Sequence, residues 1–251
     1  QVGGSQLSVD GASPDCVDWY LQTVYQPHFE HFGAEFGKTI RGFFYDEPET
    51  PGDWGTAVNR VLGEREVDWK RAYVAYKSEL AGEEQAAARY QYLDALAEAW
   101  GRTMYGGIAE WCRQHGVQST GHFMEHGNLY RHPEFCAGDM MRLQGHGDMG
   151  GIDAVFDQFV MGKRVTRDAP CWQTPKLGSS ISHAYGKPDD VTMVEIFGAR
   201  GQDLAYPEIK WWTDHMQVSG VNFLIPHSFN PRAPRDTDCP PYFYNGGYEP
   251  R

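Results

Sequence analysis

The chain has 251 residues, of which 41% are hydrophobic and 14% aromatic, enough for a sizeable core and against wholesale disorder. Its formal net charge of −12 argues against nucleic acid and anionic membrane as partners, because both repel an acidic surface. No apolar run approaches the roughly 18 residues of a membrane span. The chain begins at Gln1, not at Met, and shows no signal peptide, so we expect a processed, excised or incomplete sequence.

Short apolar strands recur along the chain, and helical stretches separate them. The strand candidates are 39–47 (TIRGFFYDE), 117–125 (VQSTGHFME), 147–153 (GDMGGID), 191–198 (VTMVEIFG) and 221–229 (VNFLIPHSF). Apolar runs of this kind, without strict alternation, are typical of strands covered on both faces, as in a parallel sheet.

Helical spacing of apolar residues predicts the connecting elements. Residues 84–115 carry a long apolar stripe that Gly116 ends, and shorter helices are predicted over 154–161, 175–185 and 206–218. Such alternation indicates an α/β fold. The five strands, six if 6–10 (QLSVD) is one, fall short of eight. We therefore expect residues 1–251 to form a single catalytic domain, a (β/α)8 TIM-type barrel incomplete at its N-terminal side.

Three predicted strands have a glutamate near their carboxyl ends: Glu47, Glu125 and Glu195. Active sites of parallel α/β folds are built at that edge. A pair of carboxylates, one protonated and one ionised, is what cleavage of a glycosidic bond requires. A single glutamate after a strand is more often a cap or an ion-pair partner, but three on one sheet favour catalysis.

Polar and aromatic residues near the same strand ends are the candidate substrate contacts. They are Tyr45, Asp46, Trp54, His122, His126, Trp172, His183 and His227. Sugar rings stack on flat aromatic faces, and histidine or aspartate side chains hold hydroxyls by hydrogen bonds. For any one tryptophan, core packing is the more frequent role.

Two metal patterns and the cysteines carry less information. The stretch 122–126 (HFMEH) matches the H-x-x-E-H zinc-protease signature, with Glu195 as a third ligand, but this motif works only on a helix and the context predicts a strand. Asp148 and Asp153 are weak candidates for calcium, because Asp–Gly pairs mostly make turns. Five scattered cysteines leave reduced core thiols and one or two disulfides both open.

The chain resembles the catalytic barrel of glycoside hydrolase family 106, the α-L-rhamnosidase family. The resemblance rests on the segments IRGFFYDEPE, TGHFMEHGN, GDMGGID, SSISHAYGKPDDVTMVEIFGARG and SGVNFLIPHSFN followed by PPYFYNGGYEP. It implies that the strands are numbers four to eight of a barrel, with Glu47 as the acid after strand four and Glu195 as its partner after strand seven. It also implies an inverting mechanism and a bound calcium that touches sugar hydroxyls.

These observations lead to one main hypothesis and two alternatives. The main one is a glycosidase that removes a terminal sugar, plausibly α-L-rhamnose, from an oligo- or polysaccharide. Glu47 would be the general acid, Glu195 the base or nucleophile and Glu125 a third participant, while His122 and His227 would orient hydroxyls or the water. The alternatives are a non-catalytic carbohydrate-binding barrel and a zinc metalloprotease. The sequence requires no cofactor and leaves calcium open, and a secreted or periplasmic location is favoured.

Overall fold

The computed structural model describes residues 9–48, 55–78, 82–123, 136–166, 169–170, 172–198 and 204–227. The chain divides into two compact units, which are described separately. Unit 1 comprises Gln1–Ser119 and His132–Asp148, and unit 2 comprises Thr120–Arg131 and Met149–Arg251. Among the described residues, none of the helices has the length and apolar character needed to span a membrane.

Unit 1 is mainly helical. Its helices are α1 (Pro14–Tyr20), α2 (Gln26–Phe32), α3 (Thr56–Glu64), α4 (Trp69–Lys77), α5 (Glu83–Trp100), α6 (Gly106–Gln114) and α7 (Met140–Gly145). Two π-helical turns, Leu21–Tyr25 and Gly101–Tyr105, join α1 to α2 and α5 to α6. The predicted helix over 84–115 is therefore confirmed as α5, a π-helical turn and α6.

The apolar stripe explains why this long helix forms. Leu96, Trp100 and Ile108 are almost fully buried, as a core-facing helix surface requires. The helix ends where predicted, because Gly116 adopts a φ of +73°, a left-handed conformation that glycine enters at no steric cost. The chain then runs directly into a strand.

An arginine joins α7 to α5 by ion pairs. Arg142 donates to Oε2 of Glu98 at 2.5 Å and also contacts the carboxylate of Asp94. The guanidinium of Arg102, four residues further along the chain, forms a second ion pair with Glu98. Burial alone would raise the pKa of Glu98, but Arg142 and Arg102 outweigh it and lower that pKa below its usual value.

The predicted strands at 39–47 and 117–125 are shorter in the structure. They are β1 (Gly42–Tyr45) and β2 (Gln118–Gly121), which are hydrogen-bonded neighbours, and β2 straddles the boundary between the units. The amide of Gln118 donates to the carbonyl of Arg41 at 3.0 Å. Phe43 of β1 packs into the aromatic core of unit 1, 5.7 Å from the ring of Trp111.

Unit 2 contains two consecutive strand–helix–strand units. Its elements are β3 (Gly150–Ala154), the two-residue strands β4 (Val165–Thr166) and β5 (Ala169–Pro170), α8 (Gln173–Ala184), β6 (Thr192–Ile196), α9 (Tyr206–Val218) and β7 (Phe223–Pro226). Strands β3, β6 and β7 form a parallel sheet in that order. The predicted strands at 147–153, 191–198 and 221–229 and the helices at 175–185 and 206–218 are confirmed within a few residues.

The two faces of this sheet differ in chemistry because side chains alternate along a strand. Ile152, Val194 and Ile196 lie on one face and pack against Trp212 and Met216 of α9 in a fully buried cluster. The residues between them in sequence, which include two acids, lie on the other face. The apolar core therefore lies on the face of the sheet that packs against the helix, and the two acidic side chains lie on the opposite face.

One local prediction was wrong. Residues 155–161 are not helical: Phe156 has a φ of +54°, and the side chain of Gln158 accepts a hydrogen bond from the amide of Val155 at 2.8 Å. The apolar residues of this stretch pack as a loop instead, with Phe159 5.6 Å from the Trp212 ring. The sixth strand considered at 6–10 lies mostly outside the described residues. Of the two that are described, Asp10 accepts a hydrogen bond from the amide of Ala12 in the turn before α1.

The mixed α/β class with parallel strands is confirmed, but the described residues do not show an eight-stranded barrel. In the described part of the chain, the sheets have two or three strands and are open. The residues between the described ranges lie outside this comparison.

Candidate active site

Glu195 lies near the carboxyl end of the central strand of unit 2. It is the fourth residue of β6, is only 9% exposed, and faces away from the helix-side core. Asp153 of β3 is its partner in register and is buried as well. The sheet thus carries two buried acids side by side on its polar face, at the edge where parallel α/β folds build their sites.

Two histidines contact the carboxylate of Glu195, one at each oxygen. His122, directly after β2, has its Nε2 2.9 Å from Oε2. His227, directly after β7, has its Nε2 3.4 Å from Oε1. Both histidines come from strand ends, so three separate strands of the chain contribute to this group. We call Glu195, His122 and His227 the Glu195 group.

The backbone turn after β6 makes room for His227. Phe197 has a φ of +81°, uncommon for a residue with a side chain, and strain of this kind concentrates at functional sites. A Cβ on the next residue, Gly198, would lie 2.9 Å from Cγ of His227 and 2.7 Å from a methyl group of Val155. The amide of His227 meanwhile donates to the carbonyl of Ile196 at 2.8 Å. Glycine at position 198 is therefore needed for this arrangement.

Asp153 is a buried acid beside Glu195 that sequence reasoning did not assign to this site. The sequence pairs it with Asp148 as a weak calcium candidate; in the structure it is buried in β3, and one of its carboxylate oxygens lies within 4.8 Å of a ring nitrogen of His122. An acid inside an otherwise apolar strand was the available signal. Its pairing with Glu195 depends on strand register, which the sequence does not show.

The candidates around Glu47 lie in unit 1. Glu47 follows β1, is half-buried and has a φ of +39°, again a strained conformation at a strand end. Asp46 beside it is exposed. Tyr45 packs edge-on against Tyr105 at 5.3 Å, and burial raises the pKa of Tyr105 well above its usual value, which keeps that hydroxyl neutral.

The remaining candidates are spread more widely. Trp172 directly precedes α8 and is 60% exposed. His183 lies in the last turn of α8, exposed and 3.5 Å from Asp190. That turn sits at the amino ends of the strands, since the neighbouring Ser182 accepts from the amide of Gly150, so His183 is at the far edge from Glu195. Trp54, Glu125 and His126 lie outside the described residues.

Of the residues considered for metals, Asp148 fits a calcium site poorly. Both oxygens of Asp148 already accept hydrogen bonds, from Arg113 at 2.9 Å and from the amide of Ser119 at 2.7 Å, so this carboxylate does not fit a calcium site. Of the H-x-x-E-H zinc motif, His122 follows β2, and Glu125 and His126 lie outside the described residues, so the motif stays a prediction.

Comparison with known proteins shows that the fold of this chain is similar to a solved structure. No protein-family model matches the chain, and no curated protein matches it. The chain is similar to the solved structure of a rhamnosidase from Novosphingobium sp. PP1Y, with a TM-score of 0.68 and 21% identity. The likeness covers 88% of this chain but 21% of that one, so the chain spans about a fifth of the length of that enzyme. At this identity, the likeness shows a shared rhamnosidase-like fold.

Proposed function

We propose that this protein is a glycoside hydrolase that cleaves a glycosidic bond, with terminal α-L-rhamnose as the substrate sugar. The observation that carries the proposal is Glu195, a buried carboxylate at the carboxyl end of a parallel strand, with a histidine at each oxygen. A rigid carboxylate in this position is what the ionised partner of a glycosidase pair requires. The fold shared with a rhamnosidase supports the choice of sugar.

In the proposed reaction, Glu195 is the general base and Glu47 the general acid. Glu195 takes a proton from water while the water oxygen bonds to the anomeric carbon. The bond from that carbon to the leaving oxygen breaks, and Glu47 gives its proton to that oxygen. This assignment yields inversion at the anomeric carbon, as the resemblance to family 106 implies. Glu125 is the third participant in the proposal.

The proposal includes a larger fold and a sugar-binding surface. Strands β1, β2, β3, β6 and β7 are proposed to be strands four to eight of a (β/α)8 barrel. The side chain of Trp172 exposes its ring at the start of α8, where a sugar ring can stack on it. Tyr45, Asp46, Trp54 and His126 remain proposed substrate contacts.

The test is the change Glu195→Gln, assayed on an aryl α-L-rhamnoside. Glutamine has nearly the same shape and still accepts a hydrogen bond from His122, so the fold should be retained. Because a general base contributes roughly 10²- to 10⁴-fold to turnover, kcat should fall by that range. The matched control is Glu64→Gln on the exposed end of α3, which should leave kcat unchanged.

Three outcomes would contradict parts of the proposal. Near-normal turnover by the Glu195→Gln protein would remove Glu195 from the mechanism. Rhamnoside binding without hydrolysis by the wild-type protein would favour a carbohydrate-binding role. Release of the retained anomer, followed by proton NMR, would make Glu195 a nucleophile instead of a base.

A further inference from the structure

The two oxygens of the Glu195 carboxylate have unequal partners. His122 Nε2 lies 2.9 Å from Oε2, an ordinary hydrogen-bond length, whereas His227 Nε2 lies 3.4 Å from Oε1, which is long for a hydrogen bond. The two histidines also differ in exposure: the His122 side chain is 1% exposed and the His227 side chain 18%. Oε2 is therefore held by a hydrogen bond to the buried His122, whereas Oε1 lies beside the more exposed His227.

His122 has no nitrogen left for a substrate hydroxyl. Its Nε2 faces Glu195, and its Nδ1 lies 3.2 Å from the carbonyl oxygen of Phe123. With both ring nitrogens engaged and almost no exposed surface, the ring is fixed in orientation between the backbone and the carboxylate. This geometry is that of a residue which orients another side chain, not of one that binds sugar.

The surroundings of His227 are different. Its ring stands against Gly198 in the turn after β6, and its amide extends the β6–β7 pairing by one residue through Ile196. The backbone holds the residue in place, while the ring reaches Oε1 only at 3.4 Å. A water molecule or hydroxyl that approaches Oε1 competes with a weak contact, whereas one that approaches Oε2 must displace a good hydrogen bond.

We propose that His122 is a positioning residue that anchors Oε2 of Glu195, so that Oε1, beside His227, is the oxygen that takes the proton from water. The inference rests on the proposed glycosidase function and deepens it. It replaces the expectation that His122 touches sugar hydroxyls. A positioning residue acts through Glu195 alone, so its loss changes the chemical step and not substrate affinity.

Two substitutions at position 122 separate these roles. In His122→Gln, the side-chain Nε2 is as many bonds from the backbone as the histidine Nε2, so the donor to Oε2 is kept. In His122→Asn, the amide nitrogen reaches only the position of Nδ1, so the donor to Oε2 is lost while the contact with Phe123 is kept. The full chain is assayed on an aryl α-L-rhamnoside, with rhamnose affinity measured by calorimetry.

The expected results follow from the geometry. His122→Asn should lower kcat by roughly 10- to 100-fold, since a misplaced catalytic group costs about that much, with KM and rhamnose affinity unchanged. His122→Gln should keep kcat within about fivefold of wild type. Combined with Glu195→Gln, the change His122→Asn should lower kcat by less than about twofold further, because groups that act as a unit are not additive.

The opposing results are distinct. Absence of turnover by the wild-type protein overturns the proposed function and this inference with it. Wild-type turnover, together with a raised KM or weaker rhamnose binding in either variant, overturns the inference alone and makes His122 a substrate contact. If His122→Asn does not fold, as judged by circular dichroism, His122→Gln decides: kcat near wild type with unchanged KM supports the inference, and a large loss of kcat overturns it.

Discussion

The change Gly151→Ala tests the packing on which the Glu195 group depends. Within unit 2, an added Cβ at position 151 would lie 1.9 Å from the backbone carbonyl oxygen of Gly121, at the end of β2. Contacts under 3.0 Å are essentially never seen for real Cβ atoms, so the two strands would have to separate by at least about 1.1 Å. His122 follows Gly121 directly, so the same separation would move it away from Glu195.

The magnitude can be set against a matched control. Overpacking of a buried site costs about 1–3 kcal/mol and sometimes more, and a backbone carbonyl gives way less readily than a side chain, so we expect Gly151→Ala to lose about 3 kcal/mol. No described atom outside the neighbouring backbone of α3 lies within 4 Å of a Cβ added at Gly63. Because alanine is the better helix former, Gly63→Ala should gain about 0.5–1 kcal/mol.

Urea unfolding followed by tryptophan fluorescence measures both changes, since Trp212 in unit 2 and Trp100 in unit 1 are buried. The same substitution should therefore shift the unfolding midpoint in opposite directions at the two sites. A loss below about 1 kcal/mol for Gly151→Ala would mean that the Gly121 carbonyl does not lie against Gly151 and would refute the reasoning.

Two further predictions concern unit 1. Because the folded pKa of Glu98 is lowered, its ion pairs with Arg142 and Arg102 stabilise the fold above the ordinary glutamate pKa, 4.5, and that contribution is lost as the pH falls through the folded value. Glu98→Gln should cost about 1–2 kcal/mol at pH 7 in urea unfolding, and a difference that stays constant down to pH 3 would contradict this. Burial raises the pKa of the Cys112 thiol to about 12, whereas Cys16 is half-exposed. Iodoacetamide at pH 8 should thus label Cys16 and spare Cys112 in the folded protein, as mass spectrometry would show; equal labelling of the two would refute the burial argument.

Helices were predictable where the pattern was long. The stripe from Leu93 to Trp111 and the helix over 206–218 repeat the helical period over several turns, so local sequence and tertiary burial agree. The eight residues at 154–161 carry an apolar run of similar composition but no complete period. There the tertiary structure decided the outcome, since Phe159 packs on Trp212 from a loop.

Part of the site was predictable, because it depends on local sequence pattern as the long helices do. That Glu195 follows an apolar strand run and lies near the carboxyl end of a parallel strand follows from local pattern and from the general architecture of α/β sheets. Nothing local shows that Asp153 is its partner in register, or that His183 lies at the opposite edge from Glu195. Both depend on how strands and helices pair over long sequence separations.

The sequence by itself determined the α/β class, the positions of the parallel strands of unit 2 and the presence of a carboxylate at their carboxyl edge, because periodicity and strand length are local properties. Only the tertiary structure decided that His122, 73 residues before Glu195, lies against one oxygen of its carboxylate and His227 against the other. The reason is physical: a contact between distant strand ends is fixed by register and by the close approach of backbones such as Gly121 and Gly151, and neither leaves a periodic trace in the chain.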